Sequence, residues 1–145
     1  MLLALLISAF LVATCVMIHY EVLRSTSILL GRLTIQPRPR ILVVMVAVFL
    51  AHGLEIWMYA AAFLLAGHLG IGSFSGMLEL HFNDYLYFAT ETYSSLGYGD
   101  IVPLGGLRMM AGIETLTGLV MIGWSASFTY LAMEKFWGLH GPRPR

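Results

Sequence analysis

The chain has 145 residues, 59% of them hydrophobic and 11% charged, with a formal net charge of +0 and a mean hydropathy of +0.82. A soluble domain of this size carries about 25% charged residues, so the composition excludes a water-soluble globule and points to a bilayer. Zero net charge argues against a nucleic-acid partner, and the lone Cys15 excludes a disulfide framework or a thiolate metal cluster.

The first apolar run, MLLALLISAFLVATCVMI, predicts a transmembrane helix within residues 1–23. A spanning helix needs about 20 apolar residues at about 1.5 Å each. The rival reading is a secretory signal peptide. The run lacks a basic leading region and exceeds the usual apolar length, so a retained helix is expected. Residues 24–40 hold Arg24, Arg32, Arg38 and Arg40 and read as a basic loop. A second span follows at 41–66, and then GHLGIGSFSG, a glycine- and serine-rich loop. Asn83 or Asp84 is expected to cap a short helix over 84–94, too short to span. A third span covers 107–133, and 134–145 form a tail. Tyr20, Trp57, Tyr59 and Trp137 fit interfacial belts.

Charge sets the expected orientation. Lys135, Arg143 and Arg145 join the four arginines of 24–40 on one side, and only Arg108 lies in the connection between the second and third spans. The positive-inside rule places the basic loop and the C-terminus in the cytoplasm, and the N-terminus and residues 67–106 outside. The outer acids are then Glu79, Asp84 and Asp100. The short helix must enter the membrane from outside and stop partway, where irregular backbone is tolerated only against protein or a water-filled cavity.

The stretch after it, TYSSLGYGDIVP (92–103), suits such a place. A desolvated cation needs a ring of oxygens, and one strand supplies one oxygen per level, so several copies must surround an axis. Successive carbonyls face one way only if the backbone alternates between conformations that residues with a Cβ resist, and Gly97 and Gly99 supply that freedom. Tyr98 is expected to turn from the axis and pack on Tyr85, Tyr87 and Phe88. The helix C-terminus would present partial negative charge to a cation.

These residues resemble the signature of pore-loop potassium channels, whose usual form is T-V-G-Y-G-D. The resemblance covers roughly 41–133, with outer helix, pore helix, filter (95–100) and inner helix in order. It implies an all-α integral membrane fold, with three spanning helices plus a re-entrant pore helix and filter, assembled as a homotetramer in a lipid bilayer. It implies potassium ligation by the backbone carbonyls of Ser95, Leu96, Gly97 and Tyr98 and by the Ser95 hydroxyl, with Gly99, Asp100, Glu91 and Ser94 supporting the filter. Ser95 departs from the usual threonine and Leu96 from valine, which puts strict potassium over sodium selectivity in doubt. Glu91 stands nine residues before Asp100, the separation at which some bacterial channels share a proton between two carboxyls. Separate solvation of the two is the alternative. In the family the inner helix bends at a glycine; Gly118 or Gly123 is the corresponding hinge, with close helix packing as the equal alternative.

Glu55 and Glu114 fall at nearly one depth when counted along their helices, and His52 shares the face of Glu55. Intramembrane carboxyls normally face protein, so hydrogen bonds that brace the filter from behind are expected, to each other, to the pore helix or to Arg108, with a metal site or a proton sensor at His52 as the lesser alternative. His68, His81 and His140 receive no role. The expected function is passive potassium conduction, with no enzyme activity, no cofactor, no soluble ligand domain and no arginine-rich voltage sensor. The alternatives are a weakly selective cation channel and a non-conducting partner subunit. An intramembrane enzyme or metal transporter using His52, Glu55, Glu91 and Glu114 lacks any HExxH-like spacing.

Overall fold

The computed structural model describes residues 1–76 and 81–137. Three long helices dominate: α1 (Leu2–Arg32), α2 (Pro37–His68) and α4 (Leu107–Trp137). Each is long and apolar enough to cross a membrane. Between α2 and α4 in sequence lie the strand β1 (Phe74–Ser75), the short helix α3 (Phe82–Tyr93) and the strand β2 (Val102–Pro103).

The helix ends depart from expectation. Residues 24–40, expected as a loop, are helical through Arg32 and again from Pro37, so only 33–36 turn the chain. Hydropathy marks where apolar side chains stop, whereas the backbone ladder continues as long as nothing breaks it. Pro37 sits at the start of α2, where its missing N–H is one of the unpaired donors anyway. Arg40 closes the turn, donating from Nη2 to the Leu33 carbonyl at 2.9 Å and from Nε to the Ile35 carbonyl at 3.2 Å. Its guanidinium lies 5.0 Å from the Phe136 ring, tying the turn to the end of α4. Helix α3 begins at Phe82, earlier than expected, because Asp84 accepts the His81 backbone N–H at 2.7 Å from the third helical position instead of capping.

Helix α1 packs on α2 and α4, and α3 packs on the same two helices. The residues α1 buries are Ala4, Ser8, Leu11, Cys15, His19, Leu23, Thr26 and Leu30, steps of three and four that trace one stripe. Small members of this stripe allow close approach between helices. Ala4 shares a core with Leu107, while Leu30 shares another with Ile41 and Phe136. The N-terminus of α1 therefore lies at the end of the bundle that carries 101–106. The α1–α2 turn and the end of α4 occupy the other end, where Arg32, Arg38, Arg40 and Lys135 gather, away from Arg108.

The two strands pair antiparallel, Phe74 with Pro103 and Ser75 with Val102. This clamp, unforeseen in the sequence, joins the loop after α2 to the chain leaving 95–100. Phe74 also meets Phe63, Phe88 and Tyr85 edge-on, so an aromatic cluster anchors the ladder over α3. Tyr59, expected in an interfacial belt, is instead fully buried, its hydroxyl 3.3 Å from Thr117 Oγ1.

Candidate functional site

Helix α3 ends where Ser95 turns left-handed, at φ +61°. The Ser95 N–H bonds back to the Thr92 carbonyl at 3.1 Å and the Leu96 N–H to the Glu91 carbonyl at 2.8 Å. These are the two bonds of a Schellman ending, with serine where glycine is usual. The Ser94 hydroxyl adds a bond to the Thr90 carbonyl at 2.8 Å, so the carbonyls of Thr90, Glu91 and Thr92 in the last turn of α3 are satisfied. Positive φ recurs at Gly97 (+57°) and Gly99 (+80°), while Leu96 and Tyr98 keep negative φ. Every second residue from 95 to 99 is left-handed, the alternation that turns successive carbonyls toward one side. The glycines were legible; Ser95, the third member, was not, because a Cβ argues against that conformation.

Side chains hold this segment from behind. Buried Glu91 accepts the Tyr98 N–H at 3.1 Å. Asp100 accepts the Tyr87 hydroxyl at 3.1 Å and the Ile101 N–H at 3.1 Å. Each carboxylate thus has its own donor, and no shared proton is needed to position either. Helix α4 seals the far side: Thr115 Oγ1 donates to the Thr92 carbonyl at 3.1 Å, and a Cβ on Gly118 would overlap the Tyr93 carbonyl. Gly118 therefore stands where α4 meets the end of α3, about 16 Å along α4 from Leu107. Nothing lies within 4 Å of a Cβ at Gly123. Residues 94–100 are exposed in the single chain, with Tyr98 at 69%. Among the described residues no ring contact joins Tyr98 to Tyr85, Tyr87 or Phe88, the packing expected of it: Phe88 and Tyr85 meet Phe74 edge-on instead, and Tyr98 is largely exposed.

Of the membrane polar residues, Glu55 bonds to α3, one of its expected partners, through the Tyr93 hydroxyl, but its other partner is new. Glu55 Oε1 lies 2.9 Å from His19 Nδ1 on α1. His52 Nδ1 meets the Tyr93 hydroxyl at 2.8 Å, and Ser125 Oγ bridges His19 Nε2 at 2.9 Å and His52 Nε2 at 3.1 Å. The expected bond between Glu55 and Glu114 is replaced by these contacts. Glu114 is buried, and neither of its oxygens has a hydrogen-bond partner among the described residues. Ser125, which reads in the sequence with Trp124 and Ser127 as polar enough to face a cavity or a neighbouring subunit, is instead buried against His19 and His52 of its own chain, and His19, Tyr93 and Thr115 escaped the reading of the sequence. Only His19 left a signal, as a polar residue on the small-residue stripe of α1.

An exposed loop with alternating backbone, seated on a short helix between two apolar helices, defines a membrane pore-loop protein. A family model described as ion channel matches residues 41–135. The chain belongs to this ion-channel family: it is a multi-pass membrane protein of the ion-channel class and is not an enzyme. It matches no curated protein and no solved structure.

Proposed function

We propose that the protein is a potassium-selective channel subunit that assembles as a homotetramer around residues 95–100. The observation that carries this reading is the alternation of left-handed backbone at Ser95, Gly97 and Gly99 in an exposed segment. Four such segments around an axis present the carbonyls of Ser95, Leu96, Gly97 and Tyr98 as stacked oxygen rings, with the Ser95 hydroxyl at the inner end. A single chain offers one oxygen per level and cannot replace a hydration shell alone. Helix α3 re-enters the bilayer from outside, aiming its partly negative C-terminus at the ion path. Asp100, Glu91, Ser94 and Gly99 support the filter, and Gly123 rather than Gly118 is the freer point for α4 to bend. The basic end of the bundle faces the cytoplasm and the N-terminus faces outward. The reading requires no cofactor; potassium is the cargo.

Flux from potassium-loaded liposomes carrying the purified protein tests the proposal. The expected result is potassium efflux blocked by barium, with a reversal potential set by potassium in mixed salt. Equal sodium and potassium permeability would establish the weakly selective alternative that Ser95 and Leu96 motivate. Tetramers that pass no ion would establish a non-conducting partner subunit.

A further inference from the structure

Five side chains close a circuit: Glu55 to His19, His19 to Ser125, Ser125 to His52, His52 to Tyr93, and Tyr93 back to Glu55. All four helices contribute, and His19, Glu55, Tyr93 and Ser125 are buried. Each contact consumes one hydrogen. A neutral imidazole, a serine hydroxyl and a tyrosine hydroxyl offer one each, and an ionised carboxylate offers none. With Glu55 ionised and both histidines neutral, the circuit holds one hydrogen fewer than it has contacts. Two lone pairs must then face each other in a buried site, where an unmade hydrogen bond is expensive. One added proton completes the circuit, on Glu55 or on an imidazole, and leaves the cluster net neutral, as a desolvated interior favours. A second added proton would oppose two donors.

We propose that His19, His52, Glu55, Tyr93 and Ser125 form a binding site for a single proton, whose occupancy fastens α1 to the end of α3. The titrating groups are Glu55 and the two imidazoles; Tyr93 and Ser125 contribute hydroxyls. Tyr93 is the last residue of α3, so the circuit reaches the residue from which the left-handed turn departs. His52 and Ser125 also line a groove of about 410 Å³ between α2 and α4, which opens one side of the circuit to exchange. The other titratable groups that interact with it are Cys15 on α1 and Tyr59 on α2, and Glu114 on α4 acts on those two and not on the circuit itself. His19, His52 and Glu55 also converge closely enough to hold a metal ion. Every ligand atom, however, already has a hydrogen-bond partner in the circuit, which favours the proton.

Thermal unfolding of the purified protein against pH tests this without any ion flux, so it stands apart from the channel reading. The midpoint of the natural protein should fall by several degrees as rising pH removes the proton, because one of the contacts is then lost. Glu55→Gln supplies the missing hydrogen from its amide and should remove this alkaline fall, whereas Glu114→Gln should keep it. An alkaline fall retained in Glu55→Gln, or abolished in Glu114→Gln, overturns the proposal. Zinc ions that raise the midpoint of the natural protein but not of His19→Gln would make the cluster a metal site and overturn it as well. Should Glu55→Gln fail to fold, nitrogen NMR of histidine-labelled natural protein, with infrared detection of the Glu55 carboxyl, decides. One imidazolium or one protonated Glu55 at the pH of greatest stability supports the site, and two neutral imidazoles beside an ionised Glu55 refute it.

Discussion

Gly118 and Gly123 are both helical glycines five positions apart, and a sequence cannot say which one is needed for its size. The structure separates them by what a methyl group would meet. At Gly118 the methyl strikes the Tyr93 carbonyl, a backbone atom that cannot swing aside, while at Gly123 it meets open space. Gly118→Ala should cost about 1–3 kcal/mol through overpacking. Gly123→Ala should gain about 0.5–1 kcal/mol by restricting the unfolded chain and favouring the helix. Thermal unfolding in detergent measures both, and equal midpoints for the two variants would contradict the packing role of Gly118. Ser95 presents the converse problem, a Cβ in a conformation that tolerates it poorly. Ser95→Gly should relieve about 1–2 kcal/mol of local strain and raise the unfolding midpoint. The same change removes the inner hydroxyl, so the reversal potential in mixed potassium and sodium should move toward lower selectivity. A variant no more stable than the natural protein would show that the left-handed turn at Ser95 costs nothing.

At the scale of elements, α3 and the segment after it behave as one unit, because Glu91 serves both. Its backbone carbonyl accepts the Leu96 N–H and its carboxylate accepts the Tyr98 N–H. Removing the side chain leaves a half-buried donor without its acceptor, at the low end of the cost of about 1–3 kcal/mol for a fully buried one. Glu91→Ala should therefore hasten the decay of current at steady voltage, while Glu91→Gln, which keeps an oxygen in place, should stay close to the natural protein. Identical decay in all three would remove Glu91 from filter support. How much of these elements was legible depended on what marks them. The three long helices were plain because apolar runs of that length have few other uses, and the end of α3 was marked by Gly97 and Gly99. The length of α1 was hidden, since its last turns carry Arg24 and Arg32 and look like a loop to hydropathy. The β1–β2 clamp was hidden because two-residue strands have no periodicity to detect. Most of the hydrogen-bond circuit was hidden because its members are 36 and 106 residues apart along the chain. Only packing of all four helices brings them together.

For the whole molecule, the decisive feature is what the single chain leaves uncovered. Leu96 and Tyr98 are 58% and 69% exposed, although both lie in the segment most tightly tied from behind. A large aromatic side chain buries roughly 150–250 Å² when covered, enough to matter at an interface and costly to leave bare. Among the described residues Tyr98 stacks on no ring, and under the proposed fourfold assembly around the filter its cover would come from another copy. Tyr98→Ala should then lower the fraction of tetramer in detergent while leaving the helical content of the protein unchanged, because most of the Tyr98 side chain lies free of its own chain. Native mass spectrometry and circular dichroism on the same preparation read the two quantities separately. A tetramer fraction equal to that of the natural protein would place Tyr98 against lipid or solvent instead. A joint loss of helix and tetramer would show that Tyr98 belongs to the core of its own chain.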